Sequence, residues 1–303
     1  MIRTMKRGRA AALLACLALT AVAAGCGSDD DSSTTATGGT DAATATTAAA
    51  IELPAEYADK GTLTVATDAA YPPNEFIDED GQTIVGMDPD LAAAIGEKLG
   101  VEMKFEAAGF DAILPGLASG KYDIGMSSFT DTKEREETVD FVTYFRAGTS
   151  FFTKAEGGTE VNGLEDLCGL KVAVQKGTTQ QADVEAQSAK CEEEGKPAVE
   201  LSTFPDQNGA NLALQSGRAQ ISLADSPVAD YQVKQSNGQF KSTGTPYGTA
   251  PYGIAVPKDS GLAEPILEAL KAVMADGTYM EILEKWGIEA GAIDDPVING
   301  AES

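Results

Sequence analysis

The sequence predicts an α/β protein of two lobes built to one plan and facing each other across a cleft. Three observations predict it. From Leu53 onward the composition is globular over roughly 240 residues, enough for two units of ordinary domain size. Leu117-Ala118-Ser119-Gly120-Lys121-Tyr122-Asp123-Ile124 recurs as Leu214-Gln215-Ser216-Gly217-Arg218-Ala219-Gln220-Ile221, each a helix end, a glycine cap and a strand. Leu63-Thr64-Val65-Ala66-Thr67-Asp68 recurs likewise as Leu170-Lys171-Val172-Ala173-Val174-Gln175, and the two echoes come in the same order. The echoed strands end at Asp68 and Ser127-Ser128 in the first lobe, and at Gln175 and Asp225 in the second. Ligands of open α/β sheets bind outside the carboxyl ends of strands, so polar residues from four strand ends should converge on one cleft.

Ahead of the globular part, Met1 to Arg9 carries Arg3, Lys6, Arg7 and Arg9 with no acid, and Ala10 to Ala24 is almost wholly apolar. This is the pattern of a signal peptide over residues 1–25. The apolar run is short for a membrane span. It ends at Ala23-Ala24-Gly25-Cys26, which resembles the lipobox of bacterial lipoproteins, with alanine at position 23 where leucine is usual. Cys26 is the expected lipidated residue, anchoring the chain to the outer face of the cell membrane; plain secretion is the alternative. Gly27 to Ile51 holds small and polar residues and no aromatic one, so residues 26–52 are expected to form a flexible tether on the order of 25 to 30 Å in span.

Charge and cysteine usage narrow the partners. The chain has 22 basic against 47 acidic residues, a net charge of −25 that loss of the leader's four cations deepens to −29. That balance argues against nucleic acid. Of the four cysteines, Cys16 leaves with the leader and Cys26 is acylated, so Cys168 and Cys191 remain as one pair where disulfides persist. A zinc site is the rival reading, but two cysteines so far apart in a chain with no histidine lack the spacing and the partners. No metal and no cofactor is expected.

Within the first lobe, Asp88 caps a helix with Pro89 at its first position, Leu91, Ile95 and Leu99 at four-residue spacing, and Gly100 at its end. The apolar run Ile124 to Met126 is a strand that feeds Ser127-Ser128-Phe129-Thr130-Asp131-Thr132-Lys133-Glu134-Arg135. Thr130 and Asp131 are N-cap types with Glu134 at capping-box distance, and Arg135 adds a two-pronged cation, which together suit a carboxylate. The same residues also read as a plain helix cap with a surface arginine. In the second lobe, strand Val172 to Val174 runs through Gln175-Lys176-Gly177 into Thr178-Thr179-Gln180 and an acidic helix, so a second helix N-terminus faces the cleft. Asp225-Ser226-Pro227 opens another helix, for which Asp225 is an alternative cap. The chain is expected to cross between lobes near Arg146 to Ser150 and to return near Gly244 to Ala250. Lobe 1 is then residues 53–146 and 246–289, lobe 2 is 147–245, and 290–303 is a tail loosely held from Gly287. A strand over Tyr252 to Pro257 is followed by helices over Leu262 to Asp276 and Tyr279 to Trp286, with Trp286 packing at a lobe surface.

Thr67-Asp68-Ala69-Ala70-Tyr71-Pro72-Pro73, Gly86-Met87-Asp88-Pro89-Asp90-Leu91, Phe110 to Leu117, Thr130 to Arg135 with Val139-Asp140-Phe141, and Gly277-Thr278-Tyr279 stand in order over residues 55–289. In these the chain resembles the polar amino-acid-binding family (family 3) of extracytoplasmic solute-binding proteins that serve ABC importers. The resemblance implies the type II periplasmic-binding-protein fold, a monomer, cleft closure on a small amino acid, and delivery to a membrane permease. The ATPase would be a separate chain, since no phosphate-binding G-x-x-x-x-G-K-[ST] loop occurs here. By the same resemblance, Arg135 clamps the ligand α-carboxylate with help from Thr130 and Thr179, and Thr178 beside them is a further candidate ligand-binding residue. Asp225, the Ser128 carbonyl and the Thr130 hydroxyl meet the α-ammonium. Tyr71 and Phe110 flank the ligand side chain, with Asp68 and Gln175 at its tip. Core packing of the two aromatics, and a turn-forming role for Asp68 before Pro72, are the plainer readings. An acid at the tip favours a basic or glutamine-like side chain over an acidic one, with Gln175 and Ala224 tuning the choice. Asn74 stands where an aromatic is usual, which predicts a wider or more polar pocket.

Two other classes are an enzyme resembling the cyclohexadienyl dehydratases of this fold and a lipoprotein amino-acid sensor. Absence of histidine removes the commonest general base, and no appended signalling domain is seen, so a non-enzymatic binding protein is the expected reading.

Overall fold

The computed structural model describes residues 51–302; the leader, Cys26 and the tether up to residue 50 lie outside the described residues. Ile51 and Leu53 already pack on the main core, so the globular part begins where the tether was expected to end. Helix α1 (Ala55–Lys60) leads into β1 (Thr62–Thr67), a small antiparallel sheet of β2 (Ala70–Tyr71), β3 (Glu75–Ile77) and β4 (Ile84–Val85), and α2 (Met87–Leu99). Then come β5 (Glu102–Ala107), α3 (Phe110–Ala118), β6 (Ile124–Gly125), α4 (Lys133–Glu136) and the long β7 (Val139–Lys154). The middle of the chain forms β8 (Lys171–Gln175), α5 (Thr179–Glu193), β9 (Glu200–Phe204), α6 (Gln207–Gln215), β10 (Ile221–Asp225) and α7 (Ser226–Gln235). A second long strand, β11 (Phe240–Pro257), precedes α8 (Ala263–Ala275) and α9 (Thr278–Trp286).

Eight strands make one sheet in the order β5-β1-β6-β11-β7-β10-β8-β9. The order explains the sequence echoes. β1 lies between the parallel strands β5 and β6, as β8 lies between the parallel strands β9 and β10. Parallel strands are covered on both faces, and the apolar residues of β1 and β8 are accordingly buried. Each half has its own core, one around Leu63, Val65, Leu91, Ile254 and Leu270 and one around Val172, Val174, Val184, Ile221 and Leu223.

β7 and β11 run antiparallel to each other and serve both halves. Ala255 of β11 pairs with Gly125 of β6, whereas Thr149 to Phe152 of β7 pair with Asp225 to Ser222 of β10. The two predicted crossings therefore lie side by side in extended strands instead of loops. Their ladder is irregular there, with register shifts between Thr243 and Tyr247 and between Tyr247 and Ala250. Pro246 has no N–H to donate, and Gly244 and Gly248 take φ of +69° and +63°, which explains the break.

Three local expectations differ. Helix α2 starts at Met87 behind Gly86, whose φ is +138° and where a Cβ would lie 2.1 Å from the Asn74 carbonyl oxygen, so Asp88 is a buried first-turn residue and not the cap. Helix α4 is capped by Thr132, whose hydroxyl accepts the Arg135 N–H at 3.2 Å, in place of Thr130 or Asp131. The tail is also held. β10 pairs β7 only from Thr149 to Phe152, which leaves the edge of the first half of β7 open, and the tail fills it. Thr143 N–H donates to the Val297 carbonyl at 2.9 Å, Asn299 and Phe141 exchange two bonds of 2.9 Å, and Arg146 meets Glu302 at 2.7 Å. Trp286 packs edge-on against Phe76 and donates its indole N–H to Asp90 at 2.7 Å, the surface packing expected.

Cys168 and Cys191 form a disulfide across 23 residues, tying the segment before β8 to the last turns of α5. Closing such a loop contributes about 3 kcal/mol. The Cys168→Ser, Cys191→Ser double variant is expected to melt about 6 to 12 °C lower in calorimetry. An unchanged melting point would show that the bridge adds nothing to stability.

Candidate functional site

Asp68 is the first residue past the carboxyl end of β1. Its Oδ2 accepts the Phe110 N–H at 3.2 Å, at the start of α3, and the Gln175 amide at 2.7 Å, from the end of β8 in the other half. Its own N–H donates to Ser127 Oγ at 2.9 Å. These contacts replace the turn-forming alternative. Only 9% of the residue is exposed, and burial raises the carboxyl pKa to about 6 against the lowering by its hydrogen bonds from Phe110 and Gln175.

The stretch after β6 is shaped by Ser128, which holds a φ of +51°. That strained conformation persists because its neighbours over-determine it. Its N–H donates to Asp88 at 3.0 Å, its hydroxyl donates to Glu75 at 3.0 Å, and the same hydroxyl accepts the Asn74 amide at 2.9 Å. Thr130 follows, and its carbonyl accepts Arg135 Nη1–H at 2.8 Å. Arg135 also reaches the other half, donating from Nη2 to the Gly177 carbonyl at 3.0 Å. The guanidinium lies 5.5 Å from the ring centres of both Phe110 and Phe129, which stack at 4.4 Å. Burial lowers its pKa to about 10, so it stays charged at neutral pH.

The second half supplies the opposing groups. Thr178 caps α5, its hydroxyl accepting the Gln181 N–H at 3.2 Å and donating to the Gln175 carbonyl at 2.8 Å. Thr179 begins that helix, so its partly positive N-terminus opens here. Asp225 ends β10 and makes no side-chain cap. Its carboxylate accepts Gln180 at 2.7 Å and the Tyr252 hydroxyl at 2.7 Å, and its N–H donates to the Tyr71 hydroxyl at 2.9 Å. Burial raises the Asp225 pKa; bonds from Tyr252, Gln180 and Tyr71 and the Arg135 charge lower it.

Asp68, Tyr71, Phe110, Ser128, Thr130 and Arg135 from the first half and Gln175, Thr178, Thr179 and Asp225 from the second line one cavity, closed down to a free volume of about 10 Å³. That is room for about one water, so the side chains that bridge it must part to admit a ligand. Lys176 and Asp111 add an exposed ion pair between the halves at 2.7 Å. Ser127, at a strand end already expected in the cleft, also lines the cavity, as do Glu75 and Gln180, which the sequence reading missed. Gln180 follows the predicted Thr178-Thr179 in the first turn, a placement that flags it; Glu75 carries no comparable signal. Asn74 does not shape the cavity. It is fully buried behind it and positions Ser128. Ala224 is buried in β10 outside the lining and cannot tune the choice of ligand directly. No group of three or more metal-ligating side chains stands together among the described residues.

Comparison with known proteins gives the family. Residues 63–289 match the profile of the bacterial extracellular solute-binding proteins, family 3. An arginine-binding protein of Corynebacterium glutamicum is 37% identical over 248 residues, 82% of this chain and 81% of that one. Two solved structures of an ancestral arginine-binding protein, one bound to arginine and one to glutamine, superpose with TM-scores of 0.68 and 0.69 at 43% and 42% identity. Each covers 75% of this chain and 98% of its own. No described helix is long and apolar enough to cross a membrane. The chain belongs to the bacterial extracellular solute-binding proteins, family 3.

Proposed function

We propose that this protein captures an amino acid with a basic or glutamine-like side chain outside the cytoplasm and hands it to the membrane permease of an ABC importer. The observation that carries the reading is the charge layout of the cavity. Arg135 and the α5 N-terminus supply positive potential, buried Asp225 an acid, and Asp68 with Gln175 a separate polar end. A zwitterion with a polar side chain needs those three features. Relatives named for arginine, and solved relatives holding arginine or glutamine, support the same class. Residues 53–146 with 246–289 and residues 147–245 act as the two closing lobes of a monomer, hinged at the irregular part of β7 and β11. Cys26 serves as the lipid anchor. Binding proceeds without turnover, since the chain has no histidine to act as general base and Asp225 is engaged in the clamp.

Thermal shift with L-arginine, L-lysine, L-histidine, L-glutamine and L-glutamate tests this. A ligand at a hundred times its dissociation constant adds about 2.7 kcal/mol, a shift of about 5 to 11 °C. Shifts with one or more of the first four and none with glutamate are expected. No shift with any amino acid would remove the reading.

A further inference from the structure

The cavity floor holds a second acidic feature that the clamp does not use, and the role assigned to it below rests on the proposed function. Glu75 of β3 is 1% exposed and Asp88 of α2 is fully buried. Ser128 bridges them, its N–H donating to Asp88 at 3.0 Å and its hydroxyl to Glu75 at 3.0 Å, so each carboxyl lies in the field of the other. Both Asp88 oxygens accept, from the Tyr144 hydroxyl at 2.8 Å and the fixed Ser128 N–H at 3.0 Å, whereas Glu75 meets only hydroxyls, which can turn, so the ionised form suits Asp88 better than Glu75. Glu75 meets the Ser127 and Ser128 hydroxyls at 3.3 and 3.0 Å. The titratable groups facing the pair are Asp68 past β1, Tyr71 of β2 and Tyr144 of β7, and no cation contacts either carboxyl among the described residues.

Two carboxylates that share the Ser128 donors, out of water and without a cation, cannot both ionise. The pair therefore carries a proton, and the hydrogen bonds place it on Glu75. Glu75 lines the cavity, and Ser127 links it to Asp68, its hydroxyl lying between Glu75 and the Asp68 N–H. A cationic ligand side chain arriving at Asp68 thus enters the field of the pair. We propose that the Glu75–Asp88 pair holds one exchangeable proton in the empty protein and releases it when an amino acid with a cationic side chain fills the cavity. The Glu75 O–H bond breaks, the proton passes to solvent, and the ligand's charge takes its place. Capture of a basic amino acid is then coupled to proton release, and acidification lets the ligand go. A neutral side chain brings no such charge and releases no proton. The coupling separates basic from amide ligands at a site whose clamp treats them alike.

Titration calorimetry with L-arginine and with L-glutamine at pH 8, in two buffers of different ionisation enthalpy, tests the coupling. Asp68 is ionised at that pH with or without ligand, its pKa being about 6, so it contributes no proton. The arginine enthalpy is expected to differ between buffers by a large part of one proton per ligand, and the glutamine enthalpy is not. Infrared difference spectra of the wild type should lose a protonated-carboxyl band on arginine addition. Arginine affinity should fall by up to about tenfold per pH unit as pH is lowered through the interval of release. Glu75→Gln should abolish both the buffer dependence and the band. Arginine binding with a buffer-independent enthalpy and no lost band overturns the inference alone, as does an unchanged proton count in Glu75→Gln. If neither amino acid binds, the proposed function fails and takes the coupling with it.

Discussion

Replacing Arg135 with alanine is expected to weaken amino-acid binding by at least about thirtyfold while the empty protein keeps its fold. A guanidinium has five donors in a planar fork, and in the empty protein two of its nitrogens already bond the carbonyls of Thr130 and Gly177. The remaining N–H groups can meet a carboxylate, which would otherwise be desolvated beside Asp225 with nothing opposite it. Leaving one member of such a pair unpaired costs about 2 to 5 kcal/mol, and each 1.4 kcal/mol is about tenfold in affinity. Arg135→Lys should recover little, because an ammonium supplies a point charge where two prongs are needed. The fold has less at stake. Arg135 sits half-buried on the four-residue α4, over the buried Phe110–Phe129 stack, and losing the cation–π contact costs about 1 kcal/mol. Calorimetric titration with L-arginine, paired with melting of the ligand-free variant, separates the two effects. Wild-type affinity with an unaltered melting point would put the ligand carboxylate somewhere else. The Gly177 bond also spans the two halves, so the variant should spend more time open.

The two-lobe plan was legible because it is written twice in local pattern. Glycine caps at Gly120 and Gly217 and apolar strands at Leu63 and Leu170 are short-range signals, and their repetition supplied the long-range one. The site was legible where strand ends met helix starts, at Asp68, Ser128 and Gln175, since position in an α/β sheet already assigns them to the cleft. What was not legible depends on partners distant in sequence. Glu75 looks like an acid on a short exposed hairpin strand. It is buried only because Ser127, Ser128 and Asp88, each distant from it in sequence, gather around it. Asp88 read as a helix cap for the same reason: nothing local shows that Asn74 and Gly86 come close enough to move the helix start to Met87. The tail looked loose because its composition is ordinary. It is held because β10 leaves half of the β7 edge uncovered, a fact of sheet order alone. Asn74 misled in the opposite direction, since departure from an aromatic at that position alters the support of Ser128 and leaves the pocket wall untouched.

Asp68→Asn should stabilise the empty protein and blind it to basic amino acids, two effects of opposite sign from one atom change. Burial holds the Asp68 pKa at about 6 in the folded chain, above the ordinary value of 3.8. A carboxyl whose folded pKa is raised destabilises the fold once ionised. The cost is fully present above about pH 6, fades as pH falls toward the unfolded value, and is on the order of 3 kcal/mol from a shift of this size. Asparagine removes the charge and can keep both bonds. Phe110 N–H and Gln175 Nε2 donate to the same oxygen, Oδ2, so the amide oxygen can take that place. Loss of charge assistance in those bonds offsets part of the gain, leaving a melting point several degrees higher. For a guanidinium or ammonium ligand the change removes the buried counter-charge, at about 3 kcal/mol or roughly a hundredfold in affinity. Glutamine should lose far less, because its amide can bond to another amide. In the wild type the same logic makes arginine affinity fall below about pH 6, where Asp68 takes up a proton, and Asp68→Asn should not show that limb. Melting curves at pH 5 and pH 8, with titrations of arginine and glutamine at both, read out every part. A variant that is less stable and still prefers arginine would place the ligand's positive end away from Asp68, and would leave Glu75 as the acid that selects it.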